Sequence, residues 1–503
     1  MLKPFVITAT LVVAAGAMPA VPTAAAVPAR VVAVAAPAGE AVSPDYQVEA
    51  NGQSVAVYSA KTFHFDGKYS FASFDFSGEV KVRVTSPVSL QRAVILPEGC
   101  AIDPHEGADG ALEFTLRQPC KLSIERDGEN SPLLLFGNAL EANPPKPDDP
   151  GVVYFGPGVH RVGKITLTSN QTLYVAAGAV VKGGVEARGA NIRILGRGII
   201  DGTDYPHNDG PTYFMLFLDR CRDVVVRDVI LRGSWLFTVV PAGCDRVLID
   251  NVKICGSRVL NDDGIDPCNS NHVTIQNCFV RTDDDCIAIK GLDGYGNENC
   301  ENLLVTDCAF WTDRANIVRV GCESDAGAMQ DITFRQIDVL HYPADRMEPP
   351  NKAQPCILYL QPGNNMPIRR LLFDGVRIRC DGRDTYLIKA RAEHHGTFSI
   401  PRNEETKLWL PSNSRTYTED GRCDGCVFRN IVLEGRPGKR GGLIYVGGSD
   451  AGHLVENIRF EHVVRFGAAV TASSPDVVIG PFTRAIEFDG EGDPAPKSPA
   501  GGG

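Results

Sequence analysis

The chain has 503 residues, of which 43% are hydrophobic and 22% are charged, both ordinary values for a globular protein with a large core. Its 51 glycines and 34 prolines suit many turns rather than long helices. The formal net charge of −11 argues against general nucleic-acid binding, so no nucleic-acid partner is expected.

The N-terminal residues 1–26 have the pattern of a secretory signal peptide. Lys3 precedes an apolar run over residues 5–18, and a string of small residues follows. The apolar run is shorter than the ~20 residues that a membrane-spanning helix needs, although a retained membrane anchor is the alternative. The prediction is therefore a secreted or periplasmic protein without a membrane partner.

The 15 cysteines are expected to be exposed to an oxidising compartment, where disulfides can form. Because their number is odd, at least one thiol would remain unpaired. Cys423 and Cys426 form a lone CxxC, which indicates a local disulfide or two packed thiols rather than a zinc site. No metal or other cofactor is predicted, and the chain is expected to be a monomer or small oligomer.

Two segments precede the main body of the chain. Residues 27–44 are rich in Ala, Val and Pro and are predicted to form a linker. Residues 45–145 alternate apolar and polar positions between Gly, Asp and Pro breaks, as in FASFDFSGEVKVRVTS. Such alternation is typical of antiparallel strands, so this region is predicted to be a small β-sandwich domain. A proline-rich connector, NPPKPDDPG, closes it.

A repeat then occupies the chain. RDVVVRDVILRG, DRVLIDNVKICG, NHVTIQNCFVRT and ENLLVTDCAFWT each hold a polar pair, a short alternating run, a turn residue and a second run. Their first apolar residues, Val224, Val247, Val273 and Leu303, follow one another at intervals of 23, 26 and 30 residues. This unit is typical of one coil of a parallel β-solenoid and is too short for a propeller blade of ~40 residues.

The predicted fold class is therefore all-β, with a β-helix over residues 150–485 and a disordered tail over 486–503. Each coil cannot bury its inward face alone, whereas stacked coils share one core. Cys278 and Cys308 occupy inward positions of the repeat, where they are expected to stack as small apolar groups or to pair with each other.

Two acidic clusters lie about one coil apart. On a parallel solenoid, equivalent positions of successive coils stack ~4.8 Å apart, so Asp263 is expected to face Asp284 and Asp285. Crowded carboxylates separate their protonation equilibria, which suits the acid–base chemistry of glycoside hydrolysis. Calcium binding and turn hydrogen bonds are the alternatives, the latter most of all for Asp266 and Asp283.

These motifs together resemble the polygalacturonases, glycoside hydrolase family 28. That family combines a Ser-x-Trp segment, an Asn-Thr-Asp-Gly-x-Asp segment and, about one coil later, Asp-Asp-Cys. Here Ser234-Trp235, residues 261–266 and Asp284-Asp285-Cys286 take those places. The resemblance implies a right-handed parallel β-helix and hydrolysis with inversion.

The resemblance also implies roles for individual residues. Asp284 would be the general acid, and Asp263 and Asp285 would hold and activate water. An inverting pair of carboxyl groups is expected to be ~6.5–9.5 Å apart, which leaves room for that water. Lys290 follows on the same strand and is expected to touch substrate or to tune the carboxylates.

The chain departs from family 28 beyond this region. It reads Ala315-Asn316-Ile317 where that family has Gly-His-Gly, and it lacks the Arg-Ile-Lys segment that grips a uronate. The stretch WTDRANIVRVGCESDAGAMQDITFRQIDVLHY is similar instead to the dextranases and isopullulanases, glycoside hydrolase family 49, which act on neutral α-glucans and carry a β-sandwich before the helix. Asn316, Arg319 and Glu323 are accordingly predicted to line the substrate groove, although a structural Arg319–Glu323 salt bridge is an equal alternative.

Aromatic side chains are the usual stacking platforms for sugar rings. Trp235, Trp311, Tyr295 and Trp409 are the candidates, with burial in the core as the alternative for each. Trp235 is included among the predicted substrate-binding residues because it belongs to the Ser-x-Trp segment.

The function predicted from these features is that of a secreted, inverting glycoside hydrolase. Its substrate is expected to be a polysaccharide or oligosaccharide with α-glycosidic bonds, either a neutral α-glucan such as dextran or pullulan or a pectin-type galacturonan. A polysaccharide lyase acting on a uronate polymer and a non-catalytic carbohydrate-binding β-helix are the alternatives.

Overall fold

A computed structural model of the chain describes residues 29–489, apart from 108, 293, 296–297, 323, 345–354, 395, 400–413 and 441. The predicted signal peptide over residues 1–26, Glu323, Trp409 and most of the predicted tail lie outside the described residues. Within that described part, the regular structure is strand except for one 3-10 turn, Glu98–Cys100. No helix in the same part is long and apolar enough to cross a membrane.

The N-terminal domain is a sandwich of two sheets. One sheet contains Arg30–Val32, Val57–Lys61, Lys68–Ser77, Val94–Leu96, Cys120–Glu125 and Leu133–Ala139. The other contains Gln47–Ala50, Gln53–Val55, Val80–Thr85, His105–Glu106 and Leu112–Leu116. Their inward residues form a single core, because period-two alternation places every second side chain on the same face. Most pairings are antiparallel, as the alternating sequence predicted.

The segment predicted as a linker, residues 27–44, contributes to the sandwich through its described part, which begins at residue 29. Arg30–Val32 pairs antiparallel with the end of Lys68–Ser77, and Val31 packs against the sandwich core. The prediction of a linker is wrong for these residues. Their β-branched side chains have an apolar surface to cover, which the composition alone did not reveal.

The rest of the chain winds into a parallel β-helix with three faces. The first face contains Val152–Phe155, Thr172–Val175, Ala190–Leu195, Arg222–Arg227, Asp245–Asp250, Asn271–Gln276, Arg422–Asp424, Val455–Glu461 and Thr483–Phe488. The second contains Ile199–Asp201, Ile230–Arg232, Lys253–Cys255, Phe279–Thr282 and Val464–Arg465, with Ala468–Ala469 antiparallel to the last. The third contains Leu216–Asp219, Val239–Ala242, Ile287–Ile289, Val318–Gly321, Cys356–Gln361, Tyr386–Arg391, Leu443–Gly447 and Val477–Ile479.

Longer strands bend from one face to the next. Gly158–Leu167 and Ala179–Ala187 join the second and third faces, whereas Cys300–Thr312, Met329–His341, Pro367–Asp381 and Val427–Arg436 join the first and second. Gly396–Ser399 and Ser414–Tyr417 form a small antiparallel pair of their own.

The strand register confirms the repeat that the sequence indicated. Val224 pairs with Val247, Val247 with Val273, and Val273 with Leu303 on successive coils. All four side chains are buried in the continuous core of the solenoid. The predicted all-β fold, with a parallel β-helix after a β-sandwich, is therefore confirmed, and the last strand of the helix, Thr483–Phe488, runs past residue 485.

The cysteines lie inside the solenoid for the most part. All 15 are free thiols, and the Cys278 and Cys308 side chains point inward, where the backbone N–H of Cys278 lies 3.4 Å from the Cys308 sulfur. Cys423 and Cys426 are two packed thiols with their sulfurs 3.5 Å apart.

The sandwich packs against the second face of the solenoid through a shared apolar cluster. Phe71 and Phe136 of the sandwich meet Phe279 and Trp311 of the helix there, all four fully buried. This contact brings one sandwich loop, residues 62–67, to the coils that carry the acidic clusters. Residues 62–67 are called the sandwich loop.

Candidate active site

The two acidic clusters meet on adjacent coils, as the solenoid geometry predicted. The backbone N–H of Gly264 donates to the carbonyl of Asp285 at 2.8 Å, and Ile265 pairs with Ile287. One carboxylate oxygen each from Asp263, Asp284 and Asp285 lies within 4.8 Å of the other two. These three carboxylates are called the aspartate site.

The aspartate site is compact. Its facing oxygens lie within 4.8 Å of each other, a distance measured between single oxygens and not between whole carboxyl groups. Adjacent rungs of one solenoid set this distance, since strands in a sheet lie ~4.8 Å apart. Three such oxygens have the spacing to hold one cation, but all three carboxylates already lie within ion-pair distance of a cationic side chain, Lys290, Arg314 or Arg319.

Asp263 is buried and bonded to Lys290. The Lys290 Nζ donates to Asp263 Oδ2 at 2.8 Å, whereas Asp263 Oδ1 has no hydrogen-bond partner among the described residues. Burial raises the pKa of Asp263 well above its ordinary value, and the Lys290 charge opposes this rise. Lys290 holds only one of the two carboxylate oxygens of Asp263. The other, Oδ1, lies in the carboxylate cluster and is suited to bind a water molecule.

Lys290 is itself almost fully buried, with 4% of its side chain exposed. Its Nζ also lies 3.4 Å from Asp266 and 4.0 Å from the centre of the Phe237 ring. Of the two predicted roles, tuning the carboxylates fits this position, and direct contact with a sugar does not.

Asp285 is fixed by Asn316. The Asn316 backbone N–H and side-chain Nδ2 both donate to Asp285 Oδ1, at 2.9 and 2.6 Å, and Asn316 Oδ1 accepts from the Cys356 backbone. Burial, followed by the neighbouring charge of Asp284, raises the pKa of Asp285 to about 6. Asn316 was predicted to bind substrate, but its polar atoms are used to position Asp285.

Asp284 is the most exposed member of the aspartate site. Its side chain is 13% exposed, against 2% for Asp263 and 1% for Asp285. The guanidinium of Arg314 bridges Asp284 and Asp283, and Asn261 Nδ2 lies 3.4 Å from Asp284. Of the three carboxylates, Asp284 is thus the one that a ligand on the surface meets first.

Arg314 was missed from the sequence, although a signal for it existed. It follows Asp284 by 30 residues, the same interval that separates Val273 from Leu303 on the stacked strands. A residue that follows Asp284 by one coil therefore lies directly beside it on the next coil. Asn316 follows Asp285 by 31 residues and stacks in the same way.

A second missed residue, His64, comes from the sandwich loop. Its Nε2 is hydrogen-bonded to the carboxylate of Asp283, the neighbour of Asp284 in the chain. Beside it, the Thr62 and Ser257 hydroxyl oxygens lie 3.1 Å apart. No sequence pattern indicates a contact between residues more than 200 positions apart in different domains.

The two aspartates assigned to turn chemistry have other partners. The Asp283 carboxylate contacts His64 and Arg314, and burial raises its pKa. The Asp266 carboxylate faces Lys290, and burial raises its pKa to about 7. Both belong to the charge network around the aspartate site, so the prediction of backbone turn bonds is wrong for them.

The aromatic predictions fail in the described part of the chain. Trp235 is 1% exposed and donates from Nε1 to the Thr212 carbonyl at 3.0 Å, so its assignment to substrate binding is wrong. Its ring fills the interior of the solenoid against glycines that leave room for it, such as Gly210. Trp311 and Tyr295 are buried as well.

Arg319 lies at the edge of the aspartate site. It donates to Gln361 Oε1 at 2.7 Å and lies 3.9 Å from Asp285, with its guanidinium over the Tyr359 ring. Its charge lowers the pKa of Asp285 against the effect of burial. Glu323 lies outside the described residues, so the Arg319–Glu323 salt bridge stays a prediction.

Comparison with known families agrees with the sequence motifs. The profile of "Glycosyl hydrolases family 28" matches residues 184–312, which include the whole aspartate site. A polygalacturonase of Juniperus ashei is 30% identical over 193 residues, which are 31% of this chain and 38% of that protein. A polygalacturonase of Penicillium janthinellum is 33% identical over 112 residues, 18% of this chain and 30% of that protein. The chain thus spans about a third of the length of these curated relatives.

Comparison of folds extends over both domains. The solved structure of Dex49A from Penicillium minioluteum, a family 49 dextranase, is 14% identical, with a TM-score of 0.65 over 90% of this chain and 96% of that one. At this identity the likeness shows the fold, a right-handed parallel β-helix, and not the activity. The comparisons confirm the predicted resemblance of this chain to family 28 glycoside hydrolases, together with a fold shared with a family 49 dextranase.

Proposed function

We propose that this protein is a secreted glycoside hydrolase that cleaves α-glycosidic bonds of a polysaccharide or oligosaccharide by carboxylate acid–base catalysis. The observation that carries the proposal is the convergence of Asp263, Asp284 and Asp285, with one oxygen of each within 4.8 Å of the others. Grouped carboxylates in unlike environments are the equipment of glycoside hydrolysis, because one can hold a proton while another removes one.

The three carboxylates are assigned different roles according to how exposed their side chains are. Asp284 is the most exposed and is assigned as the acid that protonates the leaving oxygen. Asp263 and Asp285 lie behind it and hold the attacking water, from which one of them removes a proton. Arg314 is bonded to Asp284 Oδ2 in the free chain, so a sugar that takes its proton from that oxygen displaces the guanidinium.

The stereochemistry follows from water held on the far side of the sugar, which gives inversion. Retention would instead require one carboxylate to attack the sugar directly, with the two carboxyl groups ~5–5.5 Å apart. Proton NMR of the first product resolves the two outcomes. Inversion of an α-linkage gives a β-anomer first, whereas retention gives an α-anomer and removes the water-holding role of Asp263 and Asp285.

A neutral α-glucan is the substrate that the charges favour over a uronate polymer. Lys389 and Arg391, two cations of the strand Tyr386–Arg391, both pair with Glu393, at 3.4 and 3.0 Å. Glu393 offsets one of these two positive charges, which weakens the attraction of the pair for a uronate carboxylate.

Polysaccharide lysis is the second candidate, and the observation in its favour is that the three carboxylate oxygens are close enough to share a cation. The deciding experiment incubates the protein with dextran, pullulan, polygalacturonate and rhamnogalacturonan. Hydrolysis releases reducing ends without a new unsaturated bond and is insensitive to chelator. Release that is accompanied by ultraviolet absorbance of an unsaturated product, and that stops with chelator, would replace hydrolysis with elimination.

A further inference from the structure

Exposed aromatic rings are rare on the described surface, and two of them lie in the sandwich loop. Phe63 is 63% exposed and Phe65 is 44% exposed, while the tryptophans and tyrosine considered as sugar platforms are buried where they are described. Exposed apolar rings cost free energy in water, so two of them in one loop, on either side of His64, point to a partner.

The sandwich loop is tied to the aspartate site rather than hanging free. The Phe63 backbone N–H donates to the Ser257 carbonyl at 2.6 Å, and the Thr62 hydroxyl lies 3.1 Å from that of Ser257. His64, which stands between the two phenylalanines, is bonded to Asp283. The two rings therefore flank a histidine whose partner is one residue from Asp284.

The backbone of the loop holds the rings outward. Phe65 has φ +49°, a left-handed conformation that is strained for a bulky side chain. The loop closes on itself through Thr62 N–H to the Gly67 carbonyl at 3.1 Å and Gly67 N–H to the His64 carbonyl at 3.0 Å. These hydrogen bonds fix the conformation of the loop, in which Phe65 remains exposed to solvent.

We propose that Phe63 and Phe65 form an aromatic platform that stacks against a pyranose ring of the polysaccharide chain, outside the linkage that is cleaved. The N-terminal domain supplies the Phe63 backbone N–H, His64 and both rings, and it thereby becomes part of the proposed substrate site. This inference rests on the proposed function in one respect, that the ligand is a carbohydrate.

The chemistry of such a platform is apolar on one side only. The C–H face of a pyranose covers an aromatic ring, while its hydroxyl groups remain hydrated at the edges. Binding energy gained on a sugar remote from the cleaved bond strengthens the binding of long substrates most. The platform is therefore expected to affect KM for polysaccharide more strongly than kcat.

The test compares Phe63→Ala, Phe65→Ala and the double variant with a matched control, Phe482→Ala. Phe482 is also 44% exposed and has φ +54°, but it precedes the last strand at the far end of the solenoid. Affinity electrophoresis in gels that contain each of the four polysaccharides measures binding without requiring turnover, and reducing-end release measures KM and kcat.

The expected result is retardation of the wild-type protein by one of the polysaccharides and a loss of that retardation by about tenfold or more in the double variant. Phe63→Tyr and Phe65→Tyr, which keep the ring, retain binding, and Phe482→Ala behaves as wild type. Wild-type KM in the double variant would overturn the platform and leave the hydrolase proposal standing. If the wild type binds a polysaccharide but does not cleave it, the hydrolase proposal is overturned. In that case the platform stands if the double variant loses retardation and is overturned if it does not. Neither binding nor cleavage by the wild type would overturn both.

Discussion

At the scale of single residues, the aspartate site is a concentration of buried negative charge that neighbouring cations make tolerable. Lys290 contacts Asp263 and Asp266, and Arg314 contacts Asp283 and Asp284. Removal of a cation from such a cluster leaves its carboxylates unpaired in a buried place, where protonation is the cheapest response. The cations therefore act on the proton balance of the site.

The pH dependence follows from Asp285. A base with a pKa of about 6 is ionised above that pH and protonated below it, so kcat/KM is expected to fall as the pH drops through about 6. Replacement of Lys290 by Met removes a charge that lowers the pKa of both Asp263 and Asp285. The acid limb of the pH profile should then move to higher pH. The exposed Lys81→Met is the control. An acid limb that stays in place in Lys290→Met would exclude these two carboxylates as the base.

At the scale of elements, each coil is stabilised by the side chains that stack above and below it. Phe334, Phe373, Phe428, Phe460 and Phe488 form a ladder of near-parallel rings, with successive centroids 4.7, 5.1, 5.4 and 4.6 Å apart. Equivalent positions of stacked strands place these rings in register, so the loss of one ring affects two interfaces at once.

Phe428→Ala is accordingly expected to lower the free energy of unfolding by ~3–5 kcal/mol, the cost of removing a buried aromatic ring and leaving a cavity. Phe482→Ala, on the surface of the same coils, should change it by less than ~0.5 kcal/mol. Denaturant titration with circular dichroism measures both. Equal effects in the two variants would mean that the ladder does not stabilise the solenoid.

Elements also show what the sequence predicts and what it does not. The register of Val224, Val247 and Val273 could be predicted because a solenoid repeats its inward positions along the chain. The place of Trp235 could not, since an aromatic ring packs equally well inside a coil or on its surface until the surrounding glycines are located. His64 could not be predicted either, because the contact depends on how two domains dock.

At the scale of the whole molecule, the sandwich and the solenoid share a desolvated interface rather than a flexible joint. Arg281 is fully buried there, 3.2 Å from Asp313, with its guanidinium 3.8 Å from the Trp311 ring and 4.3 Å from the Tyr69 ring. Interfaces that are this apolar and contain a paired charge couple the stability of the domains they join.

The two domains are therefore expected to unfold together in one calorimetric transition. Arg281→Ala should lower the free energy of unfolding by ~3–5 kcal/mol, because it leaves Asp313 charged and buried, and should split the transition in two. Arg246→Ala, which breaks exposed ion pairs with Asp223 and Asp245, should leave the free energy of unfolding close to the wild-type value. Two separate transitions in the wild-type protein would show that the domains are independent.

The central claim is that one sugar linkage is cleaved by the carboxylates that the solenoid brings together, and turnover of Asp284→Asn tests it most directly. On the polysaccharide that the wild type cleaves, Asp284→Asn should lose turnover by about 10²–10⁴-fold, with its circular dichroism spectrum unchanged. Asp307→Asn, which changes an exposed aspartate of the next coil, should remain fully active. Wild-type turnover in Asp284→Asn would contradict the account.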